Sequence, residues 1–136
     1  INLTNVKLTG ADLISADLSD ADLSGAELSG ANLSDAHLSD AHLIGVNLAG
    51  ANLTNVNLTG AYFAYACLAG ASLSNANFSN ANFSDADFSH VVWLTQEQLD
   101  KAGQHPDGKP PNLPNWLYWD EDAAKKRYEV YWTPKS

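Results

Sequence analysis

Apolar side chains recur along this chain with a period of five. In "ANLSDAHLSDAHLIGVNLAG", residues 31–50, leucine stands at 33, 38, 43 and 48, with alanine or valine two residues before each. The leucine series begins at Leu3 and ends at Phe88, with Phe63, Phe78 and Phe83 as its other aromatic members. Its companion series runs from Ile1 and Val6 to Ala86 and contains no polar residue. No common element has this period. A helix turns about 100° per residue, so the stripe would drift by about 140° per repeat. In a strand an odd period throws successive leucines to opposite faces, and a coiled coil needs 3.5. The pattern is self-consistent if the chain turns by a constant angle after every repeat. Each leucine, and the small residue two before it, then points at one axis. An internal repeat of this kind decides the fold.

Residues 1–90 hold eighteen tandem units close to A(D/N)LXX without a gap. This resembles the pentapeptide repeat family. The resemblance implies an all-β solenoid, a right-handed quadrilateral β-helix with four repeats and twenty residues per coil. The array then makes about 4.5 coils and, at a strand spacing of about 4.8 Å, a rod roughly 22 Å long. The organisation expected is a β-helix over 1–94 and a small C-terminal helical and aromatic cap with its tail over 95–136.

The tail changes character. Val91 and Trp93 extend the inward pattern once more, and "LTQEQLDKAG" then reads as a helix. Thr95 and Gln98 have capping-box spacing, and Gly103 is a candidate C′ residue. Leu94 and Leu99 are placed to pack on the last coil. "HPDGKPPNLPNW" contains a Pro-Asp-Gly turn, and "DEDAAKKR" sets acids before bases, as a short helix favours. Trp116, Trp119, Trp132, Tyr118, Tyr128 and Tyr131 are many aromatics for a solvated tail. A lid over the last exposed strand edge is the expected role, as in the similar cap of family members; a partner-binding aromatic patch is the alternative.

Charge is uneven. Residues 1–90 carry nine acids against Lys7, whereas 91–136 carry seven acids and six bases, for a net −9. Direct nucleic-acid binding is disfavoured by that sign. No run of 18 apolar residues is present, so no membrane span is expected. Cys67, the single cysteine, excludes an intramolecular disulfide, and its outward position suggests an exposed, unreactive thiol. Methionine is absent and Ile1 falls inside the repeat pattern. A signal peptide or a preceding domain is therefore expected to have been removed. Periplasm or thylakoid lumen fits the first case, and the soluble part of a longer, membrane-anchored chain fits the second.

A twenty-residue coil stacks residues twenty apart. Gly10, Gly30, Gly50 and Gly70 share one corner, as a turn with φ > 0 would require. Asn32 with Asn52, and Asn57 with Asn77, are placed to form amide ladders. Asp17 stacks with His37 and Asp22 with His42, near Ser19 and Ser39. A Ser-His-Asp hydrolase fails here, because a flat, wet face offers neither an oxyanion donor nor a pocket. A metal held by His37 and His42 fails because the two imidazoles diverge around a corner. The expectation is two surface ion pairs, with the carboxylate raising the histidine pKa and the histidine lowering that of Asp22. Neither catalytic residue, cofactor nor metal is expected.

Tyr62 and Tyr65, in "AYFAY", share a face with His42 and Ile44, where outward positions are otherwise mostly polar. These four form a candidate interaction surface, unless the tail folds back over them. Ile14 is a further apolar outlier on another face. At the other end, Ile1, Leu3, Val6 and Leu8 form a candidate edge contact, for an end-to-end homodimer or for a missing N-terminal segment. The function expected is a non-enzymatic structural or protein-interaction module presenting a rigid acidic rod to an unidentified protein partner. The alternative is a DNA mimic that modulates a type II topoisomerase, as the resemblance implies for some family members. This chain shares their acidity and lacks their length and projecting loops.

Overall fold

The computed structural model describes residues 1–132. Its chain advances in units of five, and every unit has the same local construction. The residue before each leucine makes a parallel bridge to its counterpart twenty residues on: Asn2 to Asp22, His42 to Tyr62, Ser72 to Val92. The leucine carbonyl then accepts from the amide three residues later, as in Val6 N to Leu3 O at 3.2 Å and Ala36 N to Leu33 O at 3.0 Å. The residue just before that amide has φ near +60°, for example Asn5 at 58° and Asp35 at 61°. An i to i+3 bond with φ > 0 only at the third residue is a type II turn. Glycine, asparagine and aspartate tolerate that conformation best. Gly10, Gly30, Gly50 and Gly70 all adopt it, with φ between 66° and 71°.

Four such units close one coil, so columns of leucine rise through the interior. Leu33, Leu53 and Leu73 stack on one side and Leu38 and Leu58 on the next, each fully buried. Leu13 and Leu18 continue the same columns into the first coil, where they are less enclosed. Alanine recurs between them because only a small side chain fits beside four converging leucines. Each fully buried leucine contributes about 1.5–3 kcal/mol of transfer free energy. Toward the C-terminal end the columns switch to phenylalanine. Phe63, Phe78, Phe83 and Phe88 pack edge-on or tilted, with centroids 4.6–6.5 Å apart.

The expected continuation at Trp93 is wrong. Val91 is buried as expected, but Trp93 has φ 63° and points outward, and Leu94 takes the inward place. The left-handed residue comes at the third position of this unit where others have it at the fifth, so the chain leaves the coil early. Thr95 then caps helix α1 (Gln96–Leu99) through a complete capping box with Gln98. Leu99 is buried on the last coil. Gln98 Nε2 donates to the carbonyls of Leu73 and Ala76 at 2.9 and 3.0 Å. The Ala76 carbonyl is the acceptor a further coil would use, as Ala36 O is for Asn57 N, whereas Leu73 O already closes its own turn with Ala76 N.

Gly103 is not the C′ residue. Asp100 caps α1, and Gly103 bridges to Asn82. A Cβ at Gly103 would sit 3.3 Å from the Tyr128 backbone nitrogen, so close approach to helix α2 (Glu121–Trp132) explains the glycine. The expected turn at Pro106–Gly108 forms, with Gly108 N donating to His105 O. Asn112 adds a second bridge, to Asp87. The side chains of Tyr131 and Trp132 lie outside the described residues. Among the remaining tail aromatics, Trp119 and Tyr128 pack inward, whereas Trp116 and Tyr118 are exposed. Trp119 stacks on Phe83 and donates to Gln104 Oε1 at 2.8 Å. Gln104 is fully buried and also bonds Gly108 O, and Arg127 Nε donates to Ala102 O. The tail thus pairs with, and closes, the C-terminal end of the coil. None of the helices is long and apolar enough to cross a membrane, among the described residues.

Candidate functional site

The bridge-position side chains do not reach one another along the rod as expected. Asp17 and Asp22 turn instead onto the amide two residues on, at 3.2 Å to Ser19 N and 3.0 Å to Ser24 N. Asn32 and Asn52 do the same with Ser34 and Thr54, and Asn57 and Asn77 with Thr59 and Ser79. The amide ladders are therefore absent among the described residues, and each asparagine closes its own turn. Asn47 is a partial exception, since its Nδ2 also donates to Glu27 Oε2 twenty residues back, at 3.1 Å.

The backbones of Asp17 and His37, and of Asp22 and His42, do stack. Neither pair makes a salt bridge; among the described residues one ion pair lies within 4.0 Å, Lys125 to Glu121 at 3.0 Å. The Ser24 amide, then its hydroxyl, holds the Asp22 carboxyl below its ordinary 3.8, with His42 a lesser contributor. Asp17 is lowered in the same way, first by the Ser19 amide. Among the described residues no group of three or more His, Cys, Asp or Glu is arranged for a metal ion. Cys67 is a free thiol, half-buried at its bridge position.

The structure divides the Tyr62, Tyr65, Ile44 and His42 group. Tyr62 is half-buried and hydrogen-bonds Tyr128 of α2, whose ring also meets His105 at 4.9 Å. Burial, then that bond, pushes the Tyr128 hydroxyl up to about 12. The tail thus reaches Tyr62. Tyr65 remains 69% exposed and Ile44 39%, one coil apart on one side of the rod, and His42 is exposed beside them. Tyr65 has φ 62°, a conformation unusual for a large aromatic residue.

At the first coil, Ile1 is exposed and Leu3, Val6 and Leu8 are half-buried at the open end of the core. The amides of Asn2, Lys7, Asp12 and Asp17 have no backbone acceptor among the described residues.

A further site was not anticipated. A cleft of about 760 Å³ lies between the unit at 74–79, Trp93, α1 and the loop carrying Trp116. Trp93 is 72% and Trp116 60% exposed. The sequence pattern concealed it by assigning Trp93 to the core. The signal available was Leu94, an apolar residue immediately after an apparently inward position.

Residues 1–40, 36–75 and 57–92 match the family model described as pentapeptide repeats (8 copies). No curated protein matches the chain. Among solved structures it is similar to Rfr23, a pentapeptide repeat protein from the cyanobacterium Cyanothece 51142. The two share 33% identity over 88% of this chain and 64% of that one, with a TM-score of 0.59. A pentapeptide repeat protein from the Arabidopsis thaliana thylakoid lumen shares 26% identity over 78% of this chain and 70% of that one, with a TM-score of 0.57. One from Nostoc PCC 7120 shares 27% over 73% and 84%, with a TM-score of 0.55. This chain thus spans less than two thirds of the length of Rfr23. With the unbroken five-residue pattern and the twenty-residue register of its bridges, these matches establish that the chain belongs to the pentapeptide repeat family.

Proposed function

We propose that this protein is a non-enzymatic interaction module, a right-handed quadrilateral rod over 1–94 whose C-terminal end is closed by a cap over 95–136. The observation that carries the reading is Tyr65 with Ile44, two exposed apolar side chains on a rigid, otherwise polar face. A flat rod fixes such a pair in place, so a partner meets it without an ordering cost. Aromatic side chains at rigid positions are the usual anchors of protein contacts. The test is capture of partners from the native source by the wild type and by a Tyr65→Ser/Ile44→Ser variant. Loss of a partner with unchanged circular dichroism supports the surface; retention of every partner sinks it.

The open first coil is a second contact surface under the same reading. Its free amides suit a further β-strand, whether from a second copy or from chain preceding Ile1. Val6→Lys is expected to abolish any end-to-end association seen by sedimentation, and unchanged association redirects attention to Tyr65.

The charge distribution weighs against a duplex mimic. Seven of the nine acids in residues 1–90 lie between 12 and 40, within the first two coils. Two coils span about 10 Å, and a duplex displays about six charges over that length, or some three base pairs. The match in density is fair, but its extent is short. Inhibition of gyrase supercoiling by the purified protein would reverse this judgement.

A further inference from the structure

We propose that the cleft between Trp93 and Trp116 binds a neutral oligosaccharide. Its volume, about 760 Å³, falls within the roughly 300–1,000 Å³ of small-ligand sites. Two indoles on its lining stay largely in water. Trp93 does so at φ 63°, which a bulky side chain adopts only against steric resistance. Burying Trp93 is not what fixes that conformation, since Leu94 already fills the core place beside it.

The rest of the lining names the ligand class. Asn75 and Asn77 come from the coil, Glu97 and Lys101 from α1 and its end. Asn77 Oδ1 is committed to Ser79, but its Nδ2 makes no hydrogen bond among the described residues. The Asn75 amide, the Glu97 carboxylate, the Lys101 ammonium and both indole N–H groups are likewise uncommitted among the described residues. The cleft lining therefore combines two exposed indoles with unspent donors and acceptors, and its two charges are of opposite sign. A sugar ring matches this set. Its C–H face lies against an indole, and its hydroxyls both donate and accept. A polyanion does not match, because Lys101 is balanced by Glu97 and the whole chain is at −9. An acyl chain does not match, because it leaves the amides and charges desolvated and unpaired.

The experiment uses the full chain and a panel of neutral hexasaccharides: cello-, xylo-, malto- and chitohexaose. Binding is read by titration calorimetry and by tryptophan fluorescence. At least one of the four is expected to bind. Trp93→Ala and Trp116→Ala should each weaken it about tenfold or more, as loss of an aromatic anchor does. Trp93→Asn keeps the left-handed residue comfortable and removes the indole, so it separates lost contact from lost fold. Absence of binding to all four at ~10 mM overturns the proposal. So does binding that survives both tryptophan substitutions with circular dichroism unchanged. Tryptophan-dependent binding of a proline-rich decapeptide with none of the sugars also overturns it, in favour of a peptide groove.

Discussion

Trp116 and Trp119 lie three residues apart in the tail, and the structure gives them opposite tasks. Trp119 stacks on Phe83 with centroids 6.2 Å apart and planes at 23°. Its indole nitrogen donates to the fully buried Gln104 at 2.8 Å. Replacing Trp119 by alanine removes three things. The aromatic pair is worth about 0.5–1.5 kcal/mol beyond area burial. The partly buried ring loses transfer free energy on the order of 1.5 kcal/mol, half or less of a fully buried one. The Gln104 carbonyl oxygen is left buried without a donor, which costs about 1–3 kcal/mol. The total expected is about 3–6 kcal/mol, at or just above the usual 3–5 kcal/mol for truncating a packed tryptophan. Urea unfolding of the full chain measures it directly, and thermal melting should fall by about 3–5 °C per kcal/mol for a chain of this size. Trp119→Phe keeps the ring and deletes the N–H, so it should cost about 1–3 kcal/mol and isolate the Gln104 bond. Trp116→Ala, at an exposed position, should change stability by less than about 0.5 kcal/mol. The variant with the loosened cap should also scatter more light, because the tail pairs with strand groups that otherwise template association. A Trp119→Ala protein within about 1 kcal/mol of wild type, or a Trp116→Ala protein equally destabilised, refutes this account of the cap.

Other outcomes follow from the same geometry. Leu38→Asp places an unpaired charge in a fully buried column, costs several kcal/mol, and should prevent folding; a soluble variant with wild-type circular dichroism contradicts the register. The Asp17, Asp22 and Asp87 carboxyls all lie below their ordinary 3.8, held first by the amide two residues on. Depressed acids stabilise the fold above the unfolded value, and that contribution is lost as pH falls through the folded values. Stability should therefore drop below about pH 4, and the triple asparagine variant, which keeps the turns, should lose less; equal acid sensitivity in the two proteins would count against the turn bonds. Tyr128 is raised to about 12, so its contribution is whole below the unfolded value of 10.0 and fades as pH rises toward 12. Ultraviolet titration should show one tyrosine ionising near 12, and Tyr62→Phe should bring that midpoint down.

The coil was legible because its signal is redundant. An inward pair repeated eighteen times admits one register, and the corner residues Gly10, Gly30, Gly50 and Gly70 independently mark the turn. Helix α1 was legible from Thr95 and Gln98, whose capping box is local. The errors fall where local and distant partners compete. Asp22 was expected to reach His42, a coil away, but the Ser24 amide is two residues off and its capture closes almost no loop. The same competition dissolved the amide ladders. Trp93 was misplaced because periodicity carries no notice of where a solenoid stops. One left-handed residue at 93 moves the next side chain inward, and only the docking of the tail reveals that Leu94 suffices. The cleft beside it is assembled from three separate stretches of chain, so no single stretch contains its signal.

The left-handed corner offers a reading of surface function that the core cannot. Core positions are dictated by volume, so Leu and Ala there report packing. The corner residue faces outward, and its own conformation is what constrains it. Among the described residues the positions with φ > 0 are held by glycine, asparagine, aspartate, one serine and one histidine, with two exceptions, Tyr65 and Trp93. A left-handed non-glycine residue costs about 1–2 kcal/mol, and asparagine or aspartate recovers part of this by local hydrogen bonding. Tyr65 and Trp93 recover nothing of that kind, and both leave most of their aromatic surface in water. Two unfavourable terms thus coincide at each, and neither side chain fills the core. One lies on the face with Ile44, and the other lines the cleft with Trp116. A fold that repeats one solution so many times makes such departures visible, and the same left-handed backbone that singles out each indole or phenol also fixes the direction in which its ring faces solvent.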